Sequence, residues 1–133
     1  MRAFFVDAWL MIALLDRGDQ YHRQAVRLRD RMGKAPLLTH EAVFFEVLAF
    51  FSEEGRQARQ AAVDMVRWAR AEWTVLPSTP LFDAALALYA ARPDKEYSLT
   101  DCMSMVVMRD RGIEHVLTND HHFRQEGFTV LAE

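Results

Sequence analysis

Five short apolar runs of strand length, separated by helix-length segments, constrain this chain more than any other feature. They are residues 3–6 (Ala3-Phe4-Phe5-Val6), 37–38 after Pro36, 73–76 closed by Pro77, 115–118 and 128–131. The segments between them carry apolar residues at helical spacing. Residues 8–15 read as a helix broken by Asp16-Arg17-Gly18-Asp19. Residues 21–32 form an arginine-rich amphipathic helix with Ala25, Val26, Leu28 and Met32 inward and Gly33 as its stop. Thr39 is placed to cap a helix from 40 to about 54, ended by Gly55. Residues 56–72 are the longest helix, with Ala58, Ala61, Ala62, Met65, Val66 and Ala69 along one stripe. Thr79 is placed to cap a helix that starts with Pro80 and runs to about 91. Ser98 starts another that Gly112 stops, and residues 120–125 make a short helical turn. The order β-α-α-β-α-α-β-α-α-β-α-β predicts a three-layer α/β/α domain around a central, mainly parallel sheet.

At 133 residues and 51% hydrophobic, the chain reads as a single domain over 1–133, able to build a core without staples. The one cysteine, Cys102, can form no intramolecular disulfide, and no cysteine cluster exists for a structural zinc site. The apolar run over 8–15 falls short of the roughly 20 residues a membrane span needs. Asp7 interrupts the signal-like start, so a cytoplasmic location and no membrane partner are expected. There is no P-loop, no G-x-G-x-x-G and no nucleophile elbow, and His40-Glu41 meets Phe44 where a zinc-protease helix needs histidine. Taken alone, the net charge of −3 disfavours nucleic acid as a partner.

Ligands of open parallel sheets bind beyond the carboxyl ends of the strands. Asp7 ends the first strand and Asp120 lies just past the fourth. Glu46 stands alone in a helix that is apolar nearly all round, where an unpaired charge must face a cleft or a cation. Asp101 opens another largely apolar helix. Each has an ordinary structural role open to it. Asp101 can complete a capping box with Ser98, Asp7 and Asp120 can cap the helices after them, and Glu46 can pair with an arginine. Four carboxylates near one sheet edge repel one another unless a cation neutralises them, and hard oxygen donors suit Mg²⁺ or Mn²⁺.

Phe5-Val6-Asp7, Val43-Phe44-Phe45-Glu46-Val47-Leu48, Ser98-Leu99-Thr100-Asp101-Cys102 and Leu117-Thr118-Asn119-Asp120-His121-His122-Phe123 resemble, in order and spacing, the PIN domain family. Residues 98–130 are especially similar to VapC-like members. The resemblance implies a Mg²⁺- or Mn²⁺-dependent endoribonuclease that hydrolyses RNA phosphodiester bonds, leaving 5′-phosphate and 3′-hydroxyl ends. It implies Asp7, Glu46, Asp101 and Asp120 as the catalytic and metal-binding set; Thr118, Asn119, Thr100 and Ser98 are available to support them, or serve as ordinary caps. It further implies a toxin with a cognate antitoxin, commonly a homodimer. A catalytically silent PIN module or a housekeeping RNA-processing nuclease is the alternative. One departure is plain: the family often carries a hydroxyl or amide residue within two positions of the first aspartate, and here those positions are Ala8 and Trp9.

Fourteen of the sixteen basic residues are arginine, grouped as Arg17, Arg23, Arg27, Arg29 and Arg31, then Arg56, Arg59, Arg67 and Arg70. They read either as bidentate phosphate contacts or as solvated helix faces. Trp9 and Tyr97 are candidates for stacking on RNA bases. His121-His122 reads as a surface pair or as an aid to a phosphate. Setting the four site carboxylates aside turns the net charge from −3 to +1, so the acidity does not exclude RNA.

Overall fold

A computed structural model describes residues 2–132. The elements follow the expected order: β1 (Phe4–Val6), α1 (Ala8–Leu15), α2 (His22–Met32), β2 (Leu37–His40), α3 (Glu41–Phe50), α4 (Arg56–Glu72) and β3 (Thr74–Leu76) come first. A 3₁₀ turn (Thr79–Leu81), α5 (Phe82–Ala91), α6 (Leu99–Arg111), β4 (His115–Leu117), α7 (His122–Gln125) and β5 (Thr129–Val130) complete it. All strand pairs are parallel, in the order β3-β2-β1-β4-β5. Phe5 and Val6 point to opposite faces of β1 and both are fully buried, as are Val116 and Leu117 of β4. The centre of the sheet is therefore covered on both sides, which explains strands without polar alternation. Helix α1 contacts α2, α3 and α4, while α5 packs on α6.

Several helix boundaries differ from those the sequence suggests. Thr39 caps nothing: it lies in β2, and its hydroxyl donates to the Val6 carbonyl at 2.8 Å, tying β2 to β1. α3 starts at Glu41 and stops at Phe50, short of 54. Phe51 turns into the core, 4% exposed, and the Ser52 hydroxyl satisfies the Ala49 carbonyl at 2.8 Å. Thr79 is the first residue of the 3₁₀ turn and not a side-chain cap, because the backbone tightens before α5 begins. On α4 the buried stripe narrows to Ala62 and Ala69, and Ala61 faces solvent. Met103, Met105 and Met108 pack in the core beside Cys102. Among the described residues no helix is long and apolar enough to cross a membrane.

Candidate active site

The chain leaves β1 toward β2 and β3, then returns to β4 on the other side of β1. Such a reversal opens a crevice at the carboxyl ends of the two strands that flank it. Asp7 follows β1 directly, and Thr118, Asn119 and Asp120 follow β4. Glu46 projects from α3, which leaves the carboxyl end of the neighbouring β2, and Asp101 sits in the first turn of α6.

Asp7 is 7% exposed. It occupies the N-cap position of α1 without a side-chain cap bond. Its Oδ2 instead accepts a hydrogen bond from the fully buried Thr118 hydroxyl at 2.8 Å, across 111 residues of chain. The hydroxyl absent from positions 8 and 9 is thus supplied from the end of β4. Thr118 Oγ1 also accepts from the Asp120 amide at 3.2 Å, so one hydroxyl joins two of the four acids. Burial lifts the Asp7 carboxyl to about 7; the Thr118 bond opposes this, and the charges of Asp101 and Glu46 add to it. Burial, then Asp101, raise Glu46, while the Thr100 hydroxyl pulls it back. Asp101 is raised by burial, against its bond to the Ser98 amide, with Asp120 adding to the rise.

The ordinary roles of these acids coexist with the clustering. Ser98 Oγ accepts from the Asp101 amide and Asp101 Oδ2 from the Ser98 amide, both at 3.0 Å, a complete capping box. Asp120 Oδ1 accepts from the His122 amide at 2.9 Å and pins the turn before α7. Among the described residues, no arginine or lysine lies within ion-pair distance of any of the four acids. Asn119 is half-buried beside them.

Two features escape a sequence reading. His122 is no surface residue: its side chain is 19% exposed, and Nδ1 lies 3.2 Å from Asp120 Oδ1 and 3.8 Å from Asp101 Oδ2. The legible signal is Asp-x-His, because an aspartate that caps the amide two residues on holds that residue beside its carboxylate. The second is Glu126, 5% exposed, which accepts from Arg92 at 3.0 Å, Arg109 at 2.8 Å and the Tyr97 hydroxyl at 2.9 Å. Tyr97 is therefore not a stacking platform: it is 4% exposed and packs edge-on against His122, ring centroids 5.6 Å apart. Trp9 is half-buried and packs against Tyr21 at 5.9 Å. The grouped arginines on α2 and α4 are exposed.

Close carboxylates with no arginine or lysine beside them among the described residues, three of them held above their ordinary ionisation range, fit a divalent cation. Asp101, Asp120 and His122 each offer a ligand atom, all within 4.8 Å of one another. A separate apolar groove of about 480 Å³ is bounded by Leu10, Leu14, Met32, Met65, Trp68 and Trp73, and none of the four acids lines it.

The PIN domain profile matches residues 4–128, and the chain belongs to that family. Within it, the fold is VapC-like. The structure of VapC20 from Mycobacterium tuberculosis, a sarcin–ricin loop cleaving toxin, superposes with a TM-score of 0.86 at 28% identity, covering 98% of this chain and 99% of that one. PAE2754 from Pyrobaculum aerophilum shares the fold, with a TM-score of 0.61 at 19% identity over 97% of this chain and 89% of its own. No curated protein matches the sequence.

Proposed function

We propose that this chain is a divalent-metal-dependent endoribonuclease of VapC type, acting in the cytoplasm as the toxin of a toxin–antitoxin pair. The observation that carries the reading is the meeting of Asp7, Glu46, Asp101 and Asp120 at the sheet reversal with, among the described residues, no arginine or lysine within ion-pair distance. The likeness to VapC20 along nearly the whole chain supports it, and makes the sarcin–ricin loop the first RNA to test. The silent-module alternative drew on the missing hydroxyl beside Asp7, and Thr118 fills that role.

Asp7 and Asp101 would hold Mg²⁺ or Mn²⁺, with Asp120 as a third ligand. A cation there would lower the pKa of a coordinated water and take up charge on the leaving oxygen. Thr118 fixes Asp7 through Oδ2. The Ser98 capping box holds Asp101 through Oδ2 in the same way. Glu46, half-buried and with its pKa raised by burial and the Asp101 charge, is suited to orient the attacking water and accept its proton. The arginines of α2 and α4 would draw in the phosphate backbone.

Incubation of the protein with single-stranded RNA and with the sarcin–ricin loop, in Mn²⁺ or Mg²⁺, tests this directly. Cleavage leaving 5′-phosphate ends is expected, with none in EDTA and none from Asp7→Asn. Cleavage that survives EDTA or Asp7→Asn would refute the assignment. Phe82, Leu86 and Tyr89 lie exposed one helical turn apart on α5, which supports a homodimer that light scattering of the purified protein would reveal. The apolar groove beside α2 and α4 supports a protein partner, and a small reading frame adjacent to this gene would supply the antitoxin to test.

A further inference from the structure

We infer that His122 is a nitrogen ligand of the cation, so that the site is a mixed oxygen–nitrogen centre selective for Mn²⁺ over Mg²⁺. This rests on the metal-dependent reading above and adds a ligand that the four acids do not include. Nδ1 of His122 is buried and makes no hydrogen bond, an expensive state for a polar atom. It lies 3.2 Å from Asp120 Oδ1 and 3.8 Å from Asp101 Oδ2. Adjacent ligands of an octahedral cation at bond lengths near 2.1 Å stand about 3 Å apart, close to the first spacing and slightly inside the second. The ring is held for that role from three sides. Its own amide donates to Asp120 Oδ1 at 2.9 Å. The Tyr97 ring meets it edge-on at 5.6 Å, and Tyr97 is fixed in turn through its hydroxyl to Glu126. Glu126 is locked by Arg92 and Arg109. On its other side lies His121, ring centroids 4.7 Å away. A ring this constrained, with its unbonded nitrogen beside two carboxylates, is pre-organised to coordinate and not to wander in solvent. Imidazole nitrogen adds little to Mg²⁺, which prefers oxygen, and more to a first-row transition ion such as Mn²⁺.

The test reads the metal and not the reaction. Electron spin-echo modulation of Mn²⁺ bound to the protein should show coupling to a nitrogen nucleus, and labelling with ¹⁵N-histidine should change its frequency. The coupling should persist in His121→Asn and vanish in both His122→Phe and His122→Asn. His122→Phe keeps a ring against Tyr97 but no donor, and should weaken Mn²⁺ about tenfold or more while changing Mg²⁺ little. His122→Asn can place its carbonyl oxygen near the Nδ1 position and should recover part of the Mn²⁺ affinity. Bound Mn²⁺ without histidine coupling in the wild-type protein, or coupling that survives His122→Phe, overturns the ligand assignment and leaves the carboxylate site standing. The labelling result holds even if a variant fails to fold. Failure of Mn²⁺ to bind, or binding unaffected by Asp101→Asn, overturns the metal-dependent reading and the ligand together.

Discussion

At the level of single residues, Asp7 sets the pH behaviour. In the unfolded chain it ionises near 3.8, and in the fold at about 7. Between those values the folded state binds more protons, so stability falls as pH rises through the window. Glu46 and Asp101 are also raised and act with the same sign. In EDTA, the melting temperature should therefore be higher at pH 5 than at pH 8, and added Mn²⁺ should stabilise more at pH 8 than at pH 5. Asp7→Asn removes the buried charge, so it should raise the metal-free melting temperature at pH 8 while abolishing cleavage. A lower melting temperature there would contradict this account of Asp7. Thr118→Val leaves the Asp7 carboxylate without its buried donor, which should destabilise by about 1–3 kcal/mol. It should also move the acidic limb of the pH–cleavage profile to higher pH, since the bond it removes holds the Asp7 pKa down.

Helices and strands carry a different set of consequences. The capping box that starts α6 also fixes Asp101, so Ser98→Ala has two readouts. It should lower stability by about 1 kcal/mol, a shift of roughly 4 °C in melting temperature, and weaken metal binding by freeing the carboxylate. Calorimetry and a Mn²⁺ titration check the two separately. The box was legible in the sequence because Ser98 and Asp101 lie three residues apart and their bonds are local. The inner strands β1, β2 and β4 were legible because both of their faces are buried, and the four acids because they stand at strand ends or on largely apolar helices. Thr39 and Thr79 misled because threonine suits both a cap and an extended backbone, and the sheet claims Thr39 through the Val6 carbonyl. His122 and Tyr97 were misplaced for another reason. His122 packs on Tyr97, and Tyr97 is held by Glu126, whose partners Arg92 and Arg109 are 34 and 17 residues away in sequence. No local pattern announces such a cluster.

Across the whole molecule, Glu126 joins the loop before α6, the end of α6 and the turn after α7. Its burial alone would raise its pKa; the bonds from Arg92, Tyr97 and Arg109 outweigh this and lower it. Glu126 thus contributes stability at neutral pH that is lost only as pH falls below the ordinary glutamate range, the reverse of Asp7. Glu126→Gln should destabilise by about 2 kcal/mol, less than a fully buried pair, because both arginines keep solvent access. It should also loosen His122, read as weaker Mn²⁺ binding. If the exposed arginines of α2 and α4 contact the phosphate backbone, as proposed, Arg23→Ala with Arg27→Ala should flatten the slope of log affinity against log salt by about 0.7 for each lost contact to single-stranded RNA.

The bond between Asp7 and Thr118 closes the site across nearly the full length of the chain. During translation the first aspartate leaves the ribosome long before the strand that completes its surroundings has been made. A nascent or prematurely terminated product that ends before β4 lacks both the threonine and Asp120, and holds only part of the acidic cluster. The order of the strands alone therefore leaves the acidic cluster incomplete until β4 and the residues that follow it have been made.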